Sequence, residues 1–553
     1  MAERVPVLVV GAGPVGLALA GDLGWRGVRS MLVERRDGSV VQPKMDMVGI
    51  RSMEFCRRWG LVEQIEAAGY NRAHVQDCAW VTDLNGIEFG REEFPAPRDE
   101  QPPPQSPQHR ERCPQNFFDP VLAGFARRSG NAELRYRTEL VSFTDHGDRV
   151  VATLRSLDDD RTYQVEADYL VGTDGGESTV RAALGIELLG AGTLTHTTNA
   201  VFRCADLSAL HTMRPAYRYI LIGPEGTWAT LVAINGRDQW RFSLIGDDVH
   251  RHHTEQGMRQ AIVRALGREF DVEILSMLPW VRRQLVAQRY RRGHVLIAGD
   301  AAHLTSPTGG FGMNTGLLDA VNLSWKLAAC LQGWGGETLL DSYEAEQRPV
   351  AERNVAEASE NLRRMLAPRL ARPARALFDR ADTSAATRAA RERFGMDYTA
   401  MMSREWHTIG IHLGYVYEGS PVVATDGTPT PVQDVASYEQ TARPGSRAPH
   451  VWLDEQRTRT ILDEFGLEFV LLRFDRAADA DGWSAAADAA RVPLRVVDVE
   501  HAAAAALYGN ALVLVRPDGH VCWRGDTVDD AAEVLTRVTG RHAAVSADVT
   551  VGA

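Results

Sequence analysis

Cysteine is scarce in this sequence, and long apolar runs are missing. The 553 residues include six cysteines, and no two of them form a CxxC pattern. This spacing argues against a disulfide framework or a zinc ribbon and favours a reducing compartment. The sequence also has no apolar run of 18 residues, and its first residues show no signal-peptide pattern. We therefore expect a cytoplasmic protein that does not bind membranes.

Lysine is almost absent as well. Lys44 and Lys326 are the two lysines among 61 basic residues, so a single arginine is weak evidence of function here. The net charge of −12 argues against nucleic acid as a partner. A chain of this length exceeds the usual size of one hydrophobic core and predicts two or three domains.

A glycine-rich turn follows the first apolar segment. Residues 5–10 are continuously apolar and mostly β-branched, which is typical of a buried parallel strand. Gly11, Gly13 and Gly16 form GxGxxG before a helix, and a second apolar strand ends at Glu34. This spacing predicts a dinucleotide site. An acidic residue at position 34 favours an adenosine ribose without a 2′-phosphate, as in FAD or NAD.

Two later segments repeat the pattern of a buried strand that ends at glycine and aspartate. One strand leads into Asp174 and Gly175, and the other, in GHVLIAGD, ends at Asp300. A nicotinamide enzyme needs only the first glycine-rich turn. A long ligand held at several points explains all three, so we expect FAD.

Three glycines, Gly309, Gly310 and Gly312, precede a helix predicted from Asn314 to Leu331. Glycine allows the backbone to approach a ligand closely, and the start of a helix offers free N–H groups. We expect an anionic or electron-rich group at this turn.

The three motifs stand in the order found in the FAD-dependent aromatic hydroxylases of the para-hydroxybenzoate hydroxylase type, and the sequence resembles that family. The likeness continues through QNFFDPVL near residue 115, DAVNLSWKLA at 319–328 and LLDSYEAEQRPVAE at 339–352. RPGSRAPHVWL (443–453) and ALVLVRPDGHVCWRGD (511–526) resemble the thioredoxin-like extension of the phenol hydroxylase branch.

The resemblance implies an α/β fold with a Rossmann-like FAD-binding domain, an inserted antiparallel β-sheet substrate domain and a C-terminal thioredoxin-like α/β domain. The FAD-binding domain would span 1–190, with a proline-rich surface insertion near 95–108, and continue with a helical region in 286–400. Residues 191–285 would form the substrate sheet, and 401–553 the C-terminal domain with its linker. Because that domain lacks CxxC, we expect it to have a structural role or to form a homodimer.

The resemblance also assigns cofactor contacts. The first motif would hold the ADP half of FAD, Gln115 and Asp300 the ribityl chain, and residues 307–314 the isoalloxazine. The DG motif would serve both FAD and the nicotinamide cofactor, and Pro307 would also contact substrate. The implied cofactor-binding residues are Gly11, Gly13, Pro14, Val15, Gly16, Glu34, Arg35, Lys44, Gln115, Asp174, Gly175, Asp300, Pro307, Gly310, Gly312, Met313 and Asn314.

Two positions depart from the family pattern. Lys44 stands where arginine is common, which matters because lysine cannot form a bidentate fork. Phe311 stands where glutamine is common, which would make that edge of the flavin site more apolar.

Three segments between the second and third motifs, at 216–223, 227–235 and 239–246, predict an antiparallel sheet. In this family such a sheet covers the substrate. Period-two alternation places Tyr217 and Tyr219 on one face, where their hydroxyls could bind a phenol. The alternative is that both are core aromatics.

Other polar clusters do not indicate a site. HRHH at 250–253 matches no standard ligand spacing, so we expect no metal. We interpret His303 as structural and the arginine-rich segment 371–394 as a solvated helix.

The reaction implied by the resemblance uses NADPH or NADH, FAD and O2. A flavin C4a-hydroperoxide would hydroxylate a phenolic compound ortho or para to its hydroxyl, and the flavin would carry the chemistry without a catalytic side chain. Two alternatives remain: a Baeyer–Villiger or antibiotic-modifying oxygenase on the same fold, and a non-catalytic flavoprotein or interaction module.

Overall fold

The computed structural model describes residues 3–246 and 252–541. Within these ranges the strands form three main sheets and one small two-stranded sheet. The strands, numbered in chain order, are β1 Glu3–Val10, β2 Ser30–Glu34, β3 Met47–Val48, β4 Cys78–Val81, β5 Glu88–Glu92, β6 Glu111–Arg112, β7 Ala132–Tyr136, β8 Thr138–Asp145, β9 Val150–Ser156, β10 Thr162–Gly172, β11 Leu188–Arg203, β12 Arg218–Gly223, β13 Gly226–Ala233, β14 Gln239–Ile245, β15 Glu273–Ala287, β16 Arg291–Arg292, β17 Val295–Ile297, β18 His303–Leu304, β19 Phe469–Arg473, β20 Leu494–Asp498, β21 Leu512–Val515 and β22 Val521–Gly525.

Helices pack against both the first and the second sheet. None of those in the described ranges has the combined length and apolar character of a membrane span. The α-helices are α1 Pro14–Trp25, α2 Ile50–Arg58, α3 Val62–Glu66, α4 Gln115–Arg128, α5 Thr179–Ala183, α6 Glu255–Leu266, α7 Phe311–Leu331, α8 Glu337–Ala371, α9 Ala385–Trp406, α10 Ile409–Leu413, α11 Asp481–Ala490, α12 Ala502–Tyr508 and α13 Ala531–Val538, with short 3-10 turns at Leu207–Leu210, Gly299–Ala301, Arg375–Phe378 and Ile461–Glu464.

The first sheet has a parallel centre in the order β17-β10-β1-β2-β7. Its strands read as continuous apolar runs because α1, α4 and α7 cover them. Val10 is paired with Gly172, and Gly172 with Ile297, so β1, β10 and β17 end at the same level. The three glycine motifs predicted from the sequence therefore start side by side.

The second sheet has the order β18-β15-β11-β14-β13-β12-β4-β5 and is antiparallel except for the β12–β4 pair. The three predicted strands are present as β12, β13 and β14. β4 and β5 precede residue 190 and extend this sheet, so it also includes strands from outside residues 191–285. The long strands β11 and β15 form its link to the first sheet.

The third sheet lies in the C-terminal part and has the order β20-β19-β21-β22. β19 and β20 are parallel, whereas β21 and β22 run antiparallel, and α11, α12 and α13 connect or follow these strands. This is the predicted thioredoxin-like order. Cys522, in β22, is a buried thiol, and burial raises its pKa above the ordinary value.

Helix α9 begins within the arginine-rich segment 371–394, most of which is exposed, as expected, but the helix then continues into the core. Phe394, Tyr398 and Met402 pack into the core of the second sheet, where Tyr398 makes an edge contact with Trp80 at 5.3 Å. Arg388, Arg393 and Arg404 of the same helix are exposed, so polar and apolar residues lie on different sides of α9.

The proline-rich segment near 95–108 is also not a free surface loop. Ser106 is 1% exposed and donates a 2.6 Å hydrogen bond to Glu54. Arg447 of the C-terminal part ion-pairs with Glu54 and donates to the carbonyl of Gln105. The segment is thus held between the first sheet's helices and the C-terminal domain.

A buried cluster of charges joins the C-terminal domain to α7 and α8. The Glu346 carboxylate receives hydrogen bonds from Lys326 at 2.6 Å and from Arg516 at 2.5 and 2.9 Å, and all three side chains are 0% exposed. Burial alone would raise the pKa of Glu346, but the two cations lower it to about 2. Removing this carboxylate would leave Lys326 buried without its partner, whereas Arg516 would keep its ion pair with Asp518.

We expect Glu346→Gln to lower the free energy of unfolding by about 3 to 5 kcal/mol, the usual effect of breaking a buried ion pair. Urea denaturation followed by tryptophan fluorescence measures this, since Trp325 lies 5.2 Å from the Arg516 guanidinium. The matched control is Glu500→Gln, which removes a pair with Arg476 that is 71–72% exposed and should change stability by less than about 1 kcal/mol. Equal effects in the two variants would contradict the interpretation.

Candidate active site

The three glycines of the first motif have different tasks. Gly11 has φ 107°, and a Cβ there would lie 2.6 Å from the carbonyl oxygen of Thr173 in the second motif. At Gly16 a Cβ would overlap the carbonyl oxygen of Gly11, so this glycine allows close packing of α1. Gly13 has an ordinary φ of −73°, and a Cβ there would meet no atom within 4 Å. Only Gly13 therefore leaves space that the protein itself does not use.

The open space at Gly13 lies where α1 begins. Pro14 is its first residue, and the first turn contains no acidic side chain, so the positive helix end is available to an anion. Val15 lies against Gly299 of the third motif, where a Cβ would come 2.9 Å from its Cγ2 atom. A pyrophosphate fits this position in size and in charge.

The acid at the end of β2 supports the turn. Glu34 accepts hydrogen bonds from the backbone N–H of Ala12 and of Arg36, both at 2.9 Å. It is half-buried, whereas Arg35 is exposed. The carboxylate retains lone pairs for a ribose hydroxyl.

Gln115 connects two segments of the site. Its Oε1 accepts from the Lys44 backbone N–H at 3.1 Å, and its Nε2 donates to Asp119 at 3.0 Å. Burial, opposed by Gln115 and aided by Glu34, raises the pKa of Asp119 to about 7. Asp119 was not predicted from the sequence. Its buried Oδ1 has no hydrogen-bond partner in the described structure.

The two later aspartates differ sharply in their contacts. Asp174 accepts from the Ser178 hydroxyl at 2.5 Å and from the Thr179 and Val180 N–H groups, so its carboxylate supports the start of α5. Gly175 beside it has φ 83°. Asp300 is half-buried and makes no hydrogen bond with any described residue, which leaves it available to a ribityl hydroxyl.

The turn after the third motif presents backbone rather than side chains. Pro307 and Gly310 line a cavity, and Gly310 has φ 70°. Gly312 and Met313 follow in the first turn of α7, where Met313 packs partly on the main core. The Asn314 amide is fully used: it accepts from Gly49 N–H and the Ser52 hydroxyl at 2.7 Å and donates to two carbonyls. Its side chain therefore fixes this turn.

Phe311 does not form an edge of the cavity. It is 1% exposed and packs with Ala358, Ile411 and Val435, with its ring edge-on to His412. His303 is also buried and contacts Asp319 at 2.9 Å, as expected for a structural role.

A cavity of about 490 Å³ lies between this turn and the second sheet. Its floor is one face of the second sheet, formed by strands β11 to β15, and α9 closes one side. The residues of the sheet that line it are Thr197, Asn199, Arg218, Thr230, Val232, Arg241, Ser243, Leu278, Pro279, Trp280 and Arg282.

Tyr217 lines the cavity, but its hydroxyl already has partners. It donates to Asp46 at 2.5 Å and accepts from Arg112 at 3.0 Å, and the Arg112 guanidinium lies 3.8 Å from the ring centre. Burial would raise the pKa of Asp46, but Arg112, Arg241 and Tyr217 lower it below its ordinary value. Asp46 is thus an ionised member of the cavity wall.

The structure corrects the expectation for Tyr219. Arg218 is paired with Val232, which lines the cavity, so Tyr219 points to the opposite face of β12. There it is 0% exposed, and its hydroxyl donates to the Arg214 carbonyl at 3.2 Å. Tyr219 is a core aromatic.

Charged residues also approach the turn of residues 307–310 from the sheet and from α9, and Arg218, Arg282 and Glu405 among them were not singled out from the sequence. Arg218 donates to Glu405 at 2.7 Å, and the same carboxylate accepts from the Gly309 N–H at 3.3 Å. Lys44 lies 5.7 Å from the Trp280 ring at the cavity edge. Glu405 and Arg282 escaped notice because neither belongs to a motif; only the alternation in β15 could have indicated Arg282.

Metal ligands are poorly supported. His250 and Arg251 of the HRHH segment lie outside the described residues. Glu66, His109 and Glu111 are near enough to share an ion, but Arg72 ion-pairs with both carboxylates. This group is accounted for as an ion-pair cluster.

Comparison with known proteins agrees with this geometry. The family model for the FAD binding domain matches residues 4–358, and the model for the C-terminal part of aromatic-ring hydroxylases matches residues 441–542. Aklavinone 12-hydroxylase RdmE of Streptomyces purpurascens is 33% identical over 98% of this chain and 99% of its own. The rebeccamycin biosynthetic enzyme RebC with reduced flavin matches with TM-score 0.90 and 36% identity over 98% of this chain and all of RebC. Aklavinone-11 hydroxylase, solved with FAD and aklavinone, matches with TM-score 0.80 and 32% identity over 98% of this chain and 100% of that one.

The chain therefore belongs to the FAD-dependent aromatic hydroxylases, as the sequence predicted. Within that family it carries the C-terminal domain of the aromatic-ring hydroxylases, and its relatives include polyketide hydroxylases.

We expect Gly13→Val to abolish FAD binding while the protein still folds, because the side chain would fill space that a pyrophosphate needs. Absorbance of the purified protein near 450 nm, with circular dichroism for folding, measures both. The matched control is Gly124→Val, since a Cβ at Gly124 also meets nothing within 4 Å but lies on an exposed part of α4. A Gly13→Val protein that retains FAD would refute the assignment.

Proposed function

We propose that the protein hydroxylates a phenolic aromatic compound ortho or para to its hydroxyl, with NADPH or NADH as reductant and O2 as oxidant. The observation that carries the proposal is the cavity of about 490 Å³ between the turn of residues 307–310, where we expect the flavin, and the second sheet. It lies within the usual range of small-molecule sites and suits a ligand with fused rings. The family membership supplies the reaction class.

FAD, when bound at the three turns, would accept electrons from the nicotinamide and react with O2. The chain's own residues bind and orient the substrate ring, exclude water and receive a proton. Backbone at Gly309 and Gly310 forms the flavin side of the cavity, and the sheet forms the other side.

Glu405 is the side chain best placed to accept the proton of the substrate hydroxyl. It is 2% exposed, and its Oε1 is held by Arg218 and the Gly309 N–H. Its Oε2 has no hydrogen-bond partner among the described residues. A buried carboxylate oxygen without a donor is unfavourable, and a phenol O–H would satisfy it. Transfer of that proton gives the phenolate, which is the more reactive form of the ring.

The alternatives predict different products. A Baeyer–Villiger oxygenase inserts oxygen next to a carbonyl group, and an antibiotic-modifying oxygenase accepts a finished antibiotic. A non-catalytic flavoprotein oxidises no NAD(P)H in response to any aromatic compound.

We expect a true substrate to accelerate NAD(P)H oxidation and to yield a product heavier by one oxygen atom. With ¹⁸O2 the label should enter the ring, because the oxygen comes from the gas and not from water. Mass spectrometry of the product, after screening a panel of mono- and polycyclic phenols, measures this. Label taken from water, or ring expansion to a lactone, would exclude the proposed reaction.

We expect Glu405→Gln to lower kcat/KM by about 10²- to 10⁴-fold near neutral pH, the usual contribution of a general base. The defect should shrink as the pH passes the pKa of the free phenol, near 10, because the substrate then arrives already ionised. Glu392→Gln, at an exposed position of the same helix, is the control and should leave the rate unchanged. A defect that stays constant with pH would assign Glu405 a structural role.

A further inference from the structure

Arg282 lies on the cavity floor, on the second strand from one edge of the second sheet. It stands in β15, paired with Thr195 of β11, and its side chain lines the cavity. The residue is only 5% exposed. A buried guanidinium is unfavourable unless an anion or several hydrogen bonds compensate for lost water.

The described structure offers Arg282 very little compensation. Its Nε donates to the Thr197 hydroxyl at 3.2 Å, its Nη1 has no hydrogen-bond partner, and no carboxylate of the described residues forms an ion pair with it. Burial, with Arg218 and Arg241 adding to it against the opposing Glu405, lowers the pKa of Arg282 to about 9.

The carboxylates nearby are already engaged. Glu405 is bound to Arg218 at 2.7 Å. Asp46 contacts Arg112 at 3.1 Å and Arg241 at 3.5 Å. Seven cationic side chains line the cavity against three carboxylates, and these are Arg36, Lys44, Arg110, Arg112, Arg218, Arg241 and Arg282 against Asp46, Glu177 and Glu405. Arg110 pairs with Glu100 outside the cavity, and Arg36 and Lys44 are exposed, so Arg282 is the buried cation of this wall without a carboxylate partner among the described residues.

We propose that Arg282 binds an acidic group of the substrate, a carboxylate or an equivalent anionic oxygen, distinct from the hydroxyl that directs the hydroxylation. The substrate is then a hydroxylated aromatic acid. This proposal rests on the proposed function only for the hydroxyl group of the substrate. The acid-binding subsite is inferred from Arg282 and its surroundings. A guanidinium fits such a group because it donates two parallel hydrogen bonds to a carboxylate.

The experiment uses the FAD-loaded enzyme and two probes that differ only in charge, 3-hydroxy-2-naphthoate and its methyl ester. Quenching of tryptophan fluorescence reports binding, since Trp280 and Trp406 line the cavity. The variants are Arg282→Met, Arg282→Lys and the control Arg203→Met, which changes an exposed arginine of β11 outside the cavity. Flavin absorbance confirms that each variant is loaded.

The wild type and Arg203→Met should bind the acid at least about tenfold more tightly than the ester, the usual scale for a charge-assisted hydrogen bond. Arg282→Met should remove this preference by weakening the acid and leaving the ester within about twofold, and Arg282→Lys should restore part of it. Equal weakening of both probes, or no preference in the wild type, would overturn the proposal.

A nicotinamide phosphate is the other source of an anion. If Arg282 served it, Arg282→Met would weaken NADPH but not NADH and would keep the preference for acid over ester, which would also overturn the proposal. Probe binding requires no turnover. Failure of the ¹⁸O2 experiment with the acid preference intact would therefore refute the reaction and not the subsite.

Discussion

The site depends on the level at which three parallel strands end. Because Val10, Gly172 and Ile297 are neighbours across β1, β10 and β17, three turns separated by over a hundred residues of sequence meet at one edge of the sheet. A long dinucleotide can then contact all three turns at once. Shifting one strand by one residue would turn its side chains to the other face and move its turn out of line.

The cavity beside this edge shows how a cluster of arginines is stabilised in a partly enclosed wall. Asp46 and Glu405 each neutralise neighbouring guanidinium groups, and Tyr217 and the Gly309 N–H complete their hydrogen bonds. The guanidinium groups of Arg241 on β14 and Arg218 on β12 have carboxylate partners, whereas Arg282 on β15 has none among the described residues. Because charge is distributed unevenly over the wall, it can orient a ligand that the shape of the cavity alone would not orient.

The fold and the meeting of the three glycine motifs were predictable, because glycine motifs act through the backbone, and backbone requirements are local in sequence. The substrate end was not. The face on which Tyr219 lies depends on the register between β12 and β13, and Glu405 reaches the cavity only because α9 packs on the sheet. Motif membership also does not determine the role of a side chain, because the polar groups of Asp174 and Asn314 form hydrogen bonds with neighbouring backbone groups and hydroxyls. The burial of the proline-rich segment required the position of the C-terminal domain.

The paired strands β11 and β15 extend from Leu188 and Ala287, beside the first sheet, to Arg203 and Glu273 at the far end of the second. β18 of the third motif is hydrogen-bonded to the same ribbon at Leu285 and Val286. A two-stranded ribbon of this length, joined at its base to β18, resists bending between the first and the second sheet. Opening the molecule like a hinge at this base would break main-chain hydrogen bonds between β15 and β18, so we expect ligand exchange to proceed by movement of side chains and loops at the cavity rim.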